Sequence, residues 1–436
     1  MAFGPLTFDL RLSTFESVLD SVFDPTPLLP LALAHLRAMV EINSWTENRA
    51  GVLQVGDLTA SIFEPLGFTA ERIPSTNTHY GDHLFLTRPG KSPSRVLMVS
   101  HLDTVFSPEE EERNCFRWQP EGDRIYGPGT HDIKGGTVLM WMLLETLRRE
   151  QPALLDAISW VLAFNASEEV LAPDFGAQCR TRLGSSPIAA LVFEAEGRLA
   201  GGRKLVTARK GRGLFHIEVE GRAAHAGVKH AHGASAILQL AETLRSVEAI
   251  TDYSRDLTVN TGRISGGTGL NRVPDHAMAE GEFRAFTPEV YAAARDRLLA
   301  LAGPGTVRSA FDGYACQVRV EVGNESAPWP RNPGSESLFE CWREAGKAAG
   351  QVIESESRGG LSDGNFLWDA LPTVDGLGPS GDNDHCSERS ADGTKLPEYV
   401  EPGSFVPKTV LNALAVERLI HRAELKSKVE GLKSKV

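Results

Sequence analysis

Cysteine is scarce and shows no pairing pattern. Cys115, Cys179, Cys316, Cys341 and Cys386 are odd in number, widely spaced and contain no C-x-x-C. That argues against a disulfide framework and against a thiolate zinc site, so any metal must be held by histidine and carboxylates. Cys386, next to a histidine, reads as a small semi-buried thiol. Long apolar runs are also missing: no segment approaches the ~20 consecutive apolar residues that a membrane-spanning helix needs. Nor is there an excess of positive charge. With 45 Lys and Arg against 57 Asp and Glu, the net charge of −12 excludes nucleic acid and anionic membrane as expected partners. The start, MAFGPLTFDLRLSTFESVLD, interrupts its apolar residues with Asp9, Arg11, Glu16 and Asp20, so it lacks a signal-peptide core and a cytoplasmic location is expected.

What is present suffices for a full core. A hydrophobic content of 41% over 436 residues, at roughly 150 residues per domain, points to two or three domains. Apolar residues recur at helical spacing over Leu28 to Ile42 and Val52 to Leu66, with Gly67 where a C-cap falls. Short β-rich runs follow at Leu84 to Thr87, Val96 to Val99, Ile158 to Phe164 and Ala189 to Phe193, with an apolar helical stretch from Gly136 to Leu147 between them. Strands alternating with helices predict an α/β fold, a mainly parallel sheet flanked by helices, with ligands beyond the carboxyl ends of its strands.

Between residues 211 and 322 the order changes to strand, helix, strand, strand, helix, strand, which is the ferredoxin-like split unit. Three segments are therefore expected: 1–210 and 323–436 forming one catalytic domain, and 211–322 an inserted α+β domain. The terminal LKSKVEGLKSKV, a repeat of LKSKV around Gly431, reads as a frayed end.

The strand ends carry the chemistry. Val96 to Val99 runs into His101 and Asp103, a spacing that suits a metal imidazole with its orienting carboxylate and equally a capping pair. The turn Gly127-Pro-Gly-Thr-His-Asp-Ile-Lys-Gly-Gly136 presents Asp132 either as a ligand or as an N-cap. Glu168 and Glu169 follow the next strand, and adjacent buried carboxylates repel unless a cation stands between them; a solvated loop is the other explanation. Glu194 follows Ala189 to Phe193, and His385 lies in the late segment GLGPSGDNDHCSERS. His101, Asp132, Glu169, Glu194 and His385 form a set of nitrogen and oxygen ligands suited to zinc, with one carboxylate able to bridge two ions and Glu168 free to take a proton from water.

The motifs VLMVSHLDTVF, IYGPGTHDIKGG, NASEEV, LVFEAE and AAHAG, in this order and spacing, resemble the di-zinc family of glutamate carboxypeptidase, acetylornithine deacetylase and succinyl-diaminopimelate desuccinylase. The resemblance covers most of the chain from about Leu28, and HLDTV followed by a GPG turn is most similar to glutamate carboxypeptidase. It implies that Asp132 bridges two zinc ions, with His101 and Glu194 on one and Glu169 and His385 on the other; cobalt or manganese would fit the same ligands. It implies Glu168 as general base and later acid, and Asp103 as the residue that fixes the His101 tautomer. It makes the inserted domain a lid and dimerisation domain, in which His225 stabilises the oxyanion, often from the partner subunit of a homodimer. Arg284 and Asn271 would bind the substrate's free carboxylate.

Two positions depart from the resemblance. His131 stands where a small residue or an acid is usual, and the stretch after Glu169, Val-Leu-Ala-Pro-Asp-Phe-Gly, lacks an early glycine.

The expected activity is hydrolysis of the amide bond of an N-acyl or peptidyl amino acid, with glutamate as a candidate C-terminal residue. Arg203, Lys204, Arg209, Lys210 and Arg212 form a charge run that either binds a second acidic group or is simply solvated. The nearest rival is an N-acetyl or N-succinyl amino-acid deacylase with the same metals. A rival of another class, a catalytically silent dimeric binding protein, would show a lost ligand or a replaced Glu168, and neither is seen.

Overall fold

The structure, a computed structural model, describes residues 22–433, so the reading of the first twenty residues lies outside it. Across the main sheet run Thr69–Pro74, Asp82–Arg88, Ser159–Asn165, Ser94–His101, Ser186–Val192 and Thr373–Val374. The last four pair in parallel, and the first two join through antiparallel ladders. Side chains alternate between two cores. Val96, Met98, Leu84, Trp160 and Leu162 face one, while Leu97, Val99, Phe85, Val161 and Ala163 face the other with Phe175. A sheet covered on both faces explains why these strands read as near-continuous apolar runs.

Helices Leu29–Val40, Arg49–Phe63, Lys134–Glu150 and Phe405–Lys433 contribute to the first core. Lys134–Glu150 is buried all round from Lys134 to Leu147 because it packs on a sheet strand and on the other three of those helices. The third residue of this helix must be small: a Cβ on Gly136 would stand 2.0 Å from the carbonyl oxygen of Phe193.

Residues 211–326 build a second sheet, entirely antiparallel, in the order Thr258–Gly266, His276–Ala285, Gly211–Glu220, Ala315–Ser326, Gly303–Arg308. Helices Ala236–Glu248 and Pro288–Leu299 pack with it around a separate core that includes Phe215, Ile217, Leu240, Phe283 and Leu298. The first four strands have the ferredoxin-like order. Gly303–Arg308 is an addition the sequence reading lacks, and its Gly-Pro-Gly content fits the edge position it occupies.

A third sheet pairs Gly202–Arg209 in parallel with Val352–Arg358, and Gly197–Leu199 closes it as a hairpin. A fourth, of Gly381–Asp382, Tyr399–Val400, Arg124–Tyr126 and Gln119–Glu121, sets the late segment around His385 beside the Gly127 turn. Past Leu425 the expected frayed end is instead helix up to Lys433, since Leu, Lys and Glu are good helix formers and tolerate one glycine. No helix among the described residues is long and apolar enough to cross a membrane, and all five cysteines are free.

Candidate metal centre and active-site cleft

The centre forms where the parallel strands end. His101 closes its strand and is 2% exposed; its Nδ1 faces the backbone carbonyl of Asp103 at 3.0 Å and the Asp103 carboxylate at 3.4 Å. That leaves Nε2 pointing at Asp132 Oδ1, 3.0 Å away, with Glu194 Oε1 at 3.9 Å. The Asp103 carboxylate also accepts from Thr46 Oγ1 at 2.7 Å and from the backbone N–H groups of Glu168 and Glu169 at 3.1 and 3.3 Å. One buried carboxylate thus fixes both the first histidine and the turn that carries the glutamate pair.

Asp132 is not a helix cap: the helix begins at Lys134 after Ile133, without a side-chain cap bond. Its loop depends on Gly129, whose φ of +74° is in the left-handed region that favours glycine. The backbone N–H groups of His131 and Asp132 both donate to Glu398 Oε1, at 2.9 and 3.1 Å. His131, one of the two departures from the resemblance, is 4% exposed and meets Asp384 Oδ1 through Nδ1 at 2.5 Å.

Asp384 precedes His385, so this clasp joins the two loops that carry Asp132 and His385. His385 Nε2 lies 3.4 Å from Asp132 Oδ2 and 3.3 Å from Glu169 Oε2. Asn383 and His385 adopt left-handed backbone conformations, φ +65° and +63°, of the kind concentrated at functional sites. Leu171, where the resemblance expects glycine nearby, has φ +73° before the helix Pro173–Thr181 begins.

The electrostatics ask for a cation. Burial pushes Glu168 and Glu194 well above the usual carboxylate range and Glu169 up to about 7. Hydrogen bonding to Asp132 and Glu169 raises His385 to about 11. For Asp132, burial acts upward, but His101 and His385 hold it well below the ordinary value. His101, Asp132 and Glu169 offer donor atoms within 4.8 Å of one another. Imidazole and carboxylate donors converging in a low-dielectric recess fit a divalent metal.

The cleft over this centre holds about 350 Å³ and is lined by Asp132, Glu168, Glu169, Glu194 and His385 together with four arginines, Arg209, Arg212, Arg284 and Arg358. The charge run is therefore not simply solvated. Arg209 is 4% exposed and paired with Asp375 at 2.7 Å, at the end of a strand whose last five residues are all buried.

Asp363 also lines the cleft; it is buried, accepts from Asn165 Nδ2 at 2.8 Å, and is raised by burial to about 7. Sequence reasoning missed it, although the run Leu-Ser-Asp-Gly-Asn after two glycines carries a turn signal. Arg284 reaches the cleft, but His225 and Asn271 do not line it. They lie on exposed lid segments joined to each other, with Ala226 N–H donating to the Asn271 carbonyl at 3.0 Å. The His225 ring accepts from the backbone N–H groups of Gly227 and Val228, at 3.1 Å each.

This arrangement matches known proteins. The family description Peptidase family M20/M25/M40 matches residues 97–402. Carboxypeptidase G2 from Pseudomonas sp. (strain RS-16) is 25% identical over 356 residues, covering 81% of this chain and 82% of its own. Aminopeptidase PepT from Bacillus cereus shares the fold with a TM-score of 0.70 at 20% identity, covering 90% of this chain and 98% of the other. A dinuclear metal binding peptidase of the M20 family from Bacillus subtilis superposes with a TM-score of 0.63 at 14% identity over 91% of this chain and 99% of its own. With the family match spanning the strand ends, the lid and the late histidine, the chain belongs to Peptidase family M20/M25/M40, a family of metal-dependent peptidases, and is itself a metallopeptidase.

Proposed function

We propose that the protein is a di-zinc carboxypeptidase-type amidohydrolase that releases the C-terminal amino acid from an N-acyl amino acid or short peptide. The observation that carries this reading is the two-sided use of Asp132, whose Oδ1 faces His101 and whose Oδ2 faces His385. His101 with Glu194 would hold one ion and Glu169 with His385 the other, Asp132 serving both. When bound, the metal supplies Lewis acidity that polarises the scissile carbonyl and lowers the pKa of water. The similarity to carboxypeptidase G2 and to a dinuclear metal binding peptidase supports both halves of the proposal.

Glu168 sits on the cleft wall with its backbone N–H anchored on Asp103. Its carboxyl, raised by burial, takes the proton of the attacking water and returns it to the leaving amine. Asp103 keeps His101 in the tautomer that presents Nε2 to the metal. The positive charge that arginines bring to the cleft balances the substrate's free carboxylate. His225 lies outside the cleft of its own chain, which supports its delivery to the oxyanion by a partner subunit of a homodimer, with Asn271 on the same lid segment.

The test is amino-acid release by the zinc-loaded protein from a panel of N-acetyl, N-succinyl, N-benzoyl and N-peptidyl amino acids. Faster release from bulky acyl donors is the expected result. A preference for acetyl or succinyl donors would instead establish a deacylase, and silence across the panel with metal bound would favour a binding protein.

A further inference from the structure

Three of the four arginines on the cleft wall are already engaged. Arg209 donates to Asp375 and to the carbonyls of Gly360 and Leu361. Arg358 donates to Glu356 at 2.6 Å and to the carbonyl of Ala195 at 2.8 Å. Arg284 lays its fork on Glu282, Nε to Oε1 at 2.8 Å and Nη2 to Oε2 at 3.0 Å, while Nη1 reaches the carbonyl of Gly359 at 3.0 Å.

Arg212 differs. Its Nε is buried without a hydrogen-bond partner, and no described residue forms an ion pair with its guanidinium. Arg212 and Arg284 are also register partners on adjacent strands, and like charges directly opposite each other destabilise a sheet. Burial and the Arg284 charge both disfavour the charged form of Arg212, and Glu282, Glu168 and Tyr291 only partly offset them. Glu282, whose two oxygens are taken by Arg284, and Glu168 are the carboxylates that act on Arg212, and neither hydrogen-bonds its Nε, which is left free beside the cleft.

We infer that Arg212 receives the substrate's free carboxylate, while Arg284, held by Glu282, latches the lid to the Gly359 backbone. A carboxylate docked on Arg212 gains a charge-assisted hydrogen bond and relieves the repulsion between the two arginines. This assignment rests on the carboxypeptidase reading above and departs from the role the resemblance gives Arg284.

The experiment uses the full-length zinc-loaded protein with N-benzoyl-L-glutamate, N-benzoyl-L-alanine and the α-carboxamide of each. Wild type is expected to prefer the acids. In Arg212→Met that preference should fall by about 10- to 150-fold through KM, the span of a hydrogen bond to a charged group, with KM for the acids rising far more than KM for the amides. Arg212→Lys should recover part of the preference, and Arg284→Met should retain most of it. Loss of the preference in Arg284→Met but not in Arg212→Met would overturn the assignment. So would an Arg212→Met protein that loses zinc and turns over acids and amides equally poorly, because Arg212 would then be structural. If wild type itself shows no preference for the acids, the carboxypeptidase reading fails first and this assignment with it.

Discussion

Asp103 is placed to act entirely through other residues. Its carboxylate collects the Thr46 hydroxyl and the backbone N–H groups of Glu168 and Glu169, and it stands behind His101. Replacing such a partner of a metal ligand weakens metal binding by roughly 10- to 100-fold. Asp103→Asn should therefore lower zinc affinity by about that factor in a chelator competition, and unchanged affinity would remove Asp103 from the centre's support. His131 and Asp384 make a similar argument. Their contact ties the residue before Asp132 to the residue before His385, so His131→Ala should also weaken zinc retention while leaving the fold intact by circular dichroism. The ligands themselves were legible because each follows an apolar strand or a glycine turn. The clasp was not, since its halves are 253 residues apart and neither has a motif of its own.

At the scale of elements, four strands of the main sheet and the ferredoxin-like strands of the lid were readable because burial on two faces, or alternation on one, leaves a pattern, whereas the largely exposed Thr69–Pro74 and the edge strand Gly303–Arg308 carry none. Gly202–Arg209 and Val352–Arg358 were not. Their sequences, GRKLVTAR and VIESESR, are dominated by charged and small residues whose partners, such as Arg203 with Gln351 at 2.9 Å, lie far off in sequence.

Elements are also tied by isolated polar joints. Asp174, in the helix Pro173–Thr181, accepts from Thr76 N–H at 2.8 Å and from Thr76 Oγ1 at 3.1 Å, and faces His83 Nε2 at 3.2 Å. Although burial acts upward, these partners hold its carboxyl well below the usual range. A depressed acid stabilises the fold above its unfolded pKa, about 3.9, and loses that contribution as pH falls through the folded value. Asp174→Asn should therefore cost about 1.5–3 kcal/mol in urea titrations at pH 7, and the gap to wild type should narrow below about pH 4. A gap that is constant from pH 7 to pH 3 would contradict this.

At the scale of the whole molecule, the lid carries most of the exposed apolar side chains among the described residues, including Val228 at 78%, Ile264 at 62% and Leu270 at 106%. They lie on the same domain as His225. This placement fits the proposed homodimer, in which His225 of one subunit serves the cleft of the other. Mixing inactive His225→Ala with inactive Glu168→Ala, under conditions that exchange subunits, should restore turnover, since one hybrid site then holds both intact residues. Mixtures that stay silent while hybrid dimers form would place His225 outside the reaction.

The central claim is that Glu168 moves the proton at a centre held by other residues. The measurement that tests it most directly is zinc content and amino-acid release in Glu168→Ala beside wild type. The account predicts two zinc ions per chain in both proteins and a loss of turnover of at least about 100-fold in the variant, the usual weight of a general base. Undiminished turnover by Glu168→Ala with its zinc in place would contradict it.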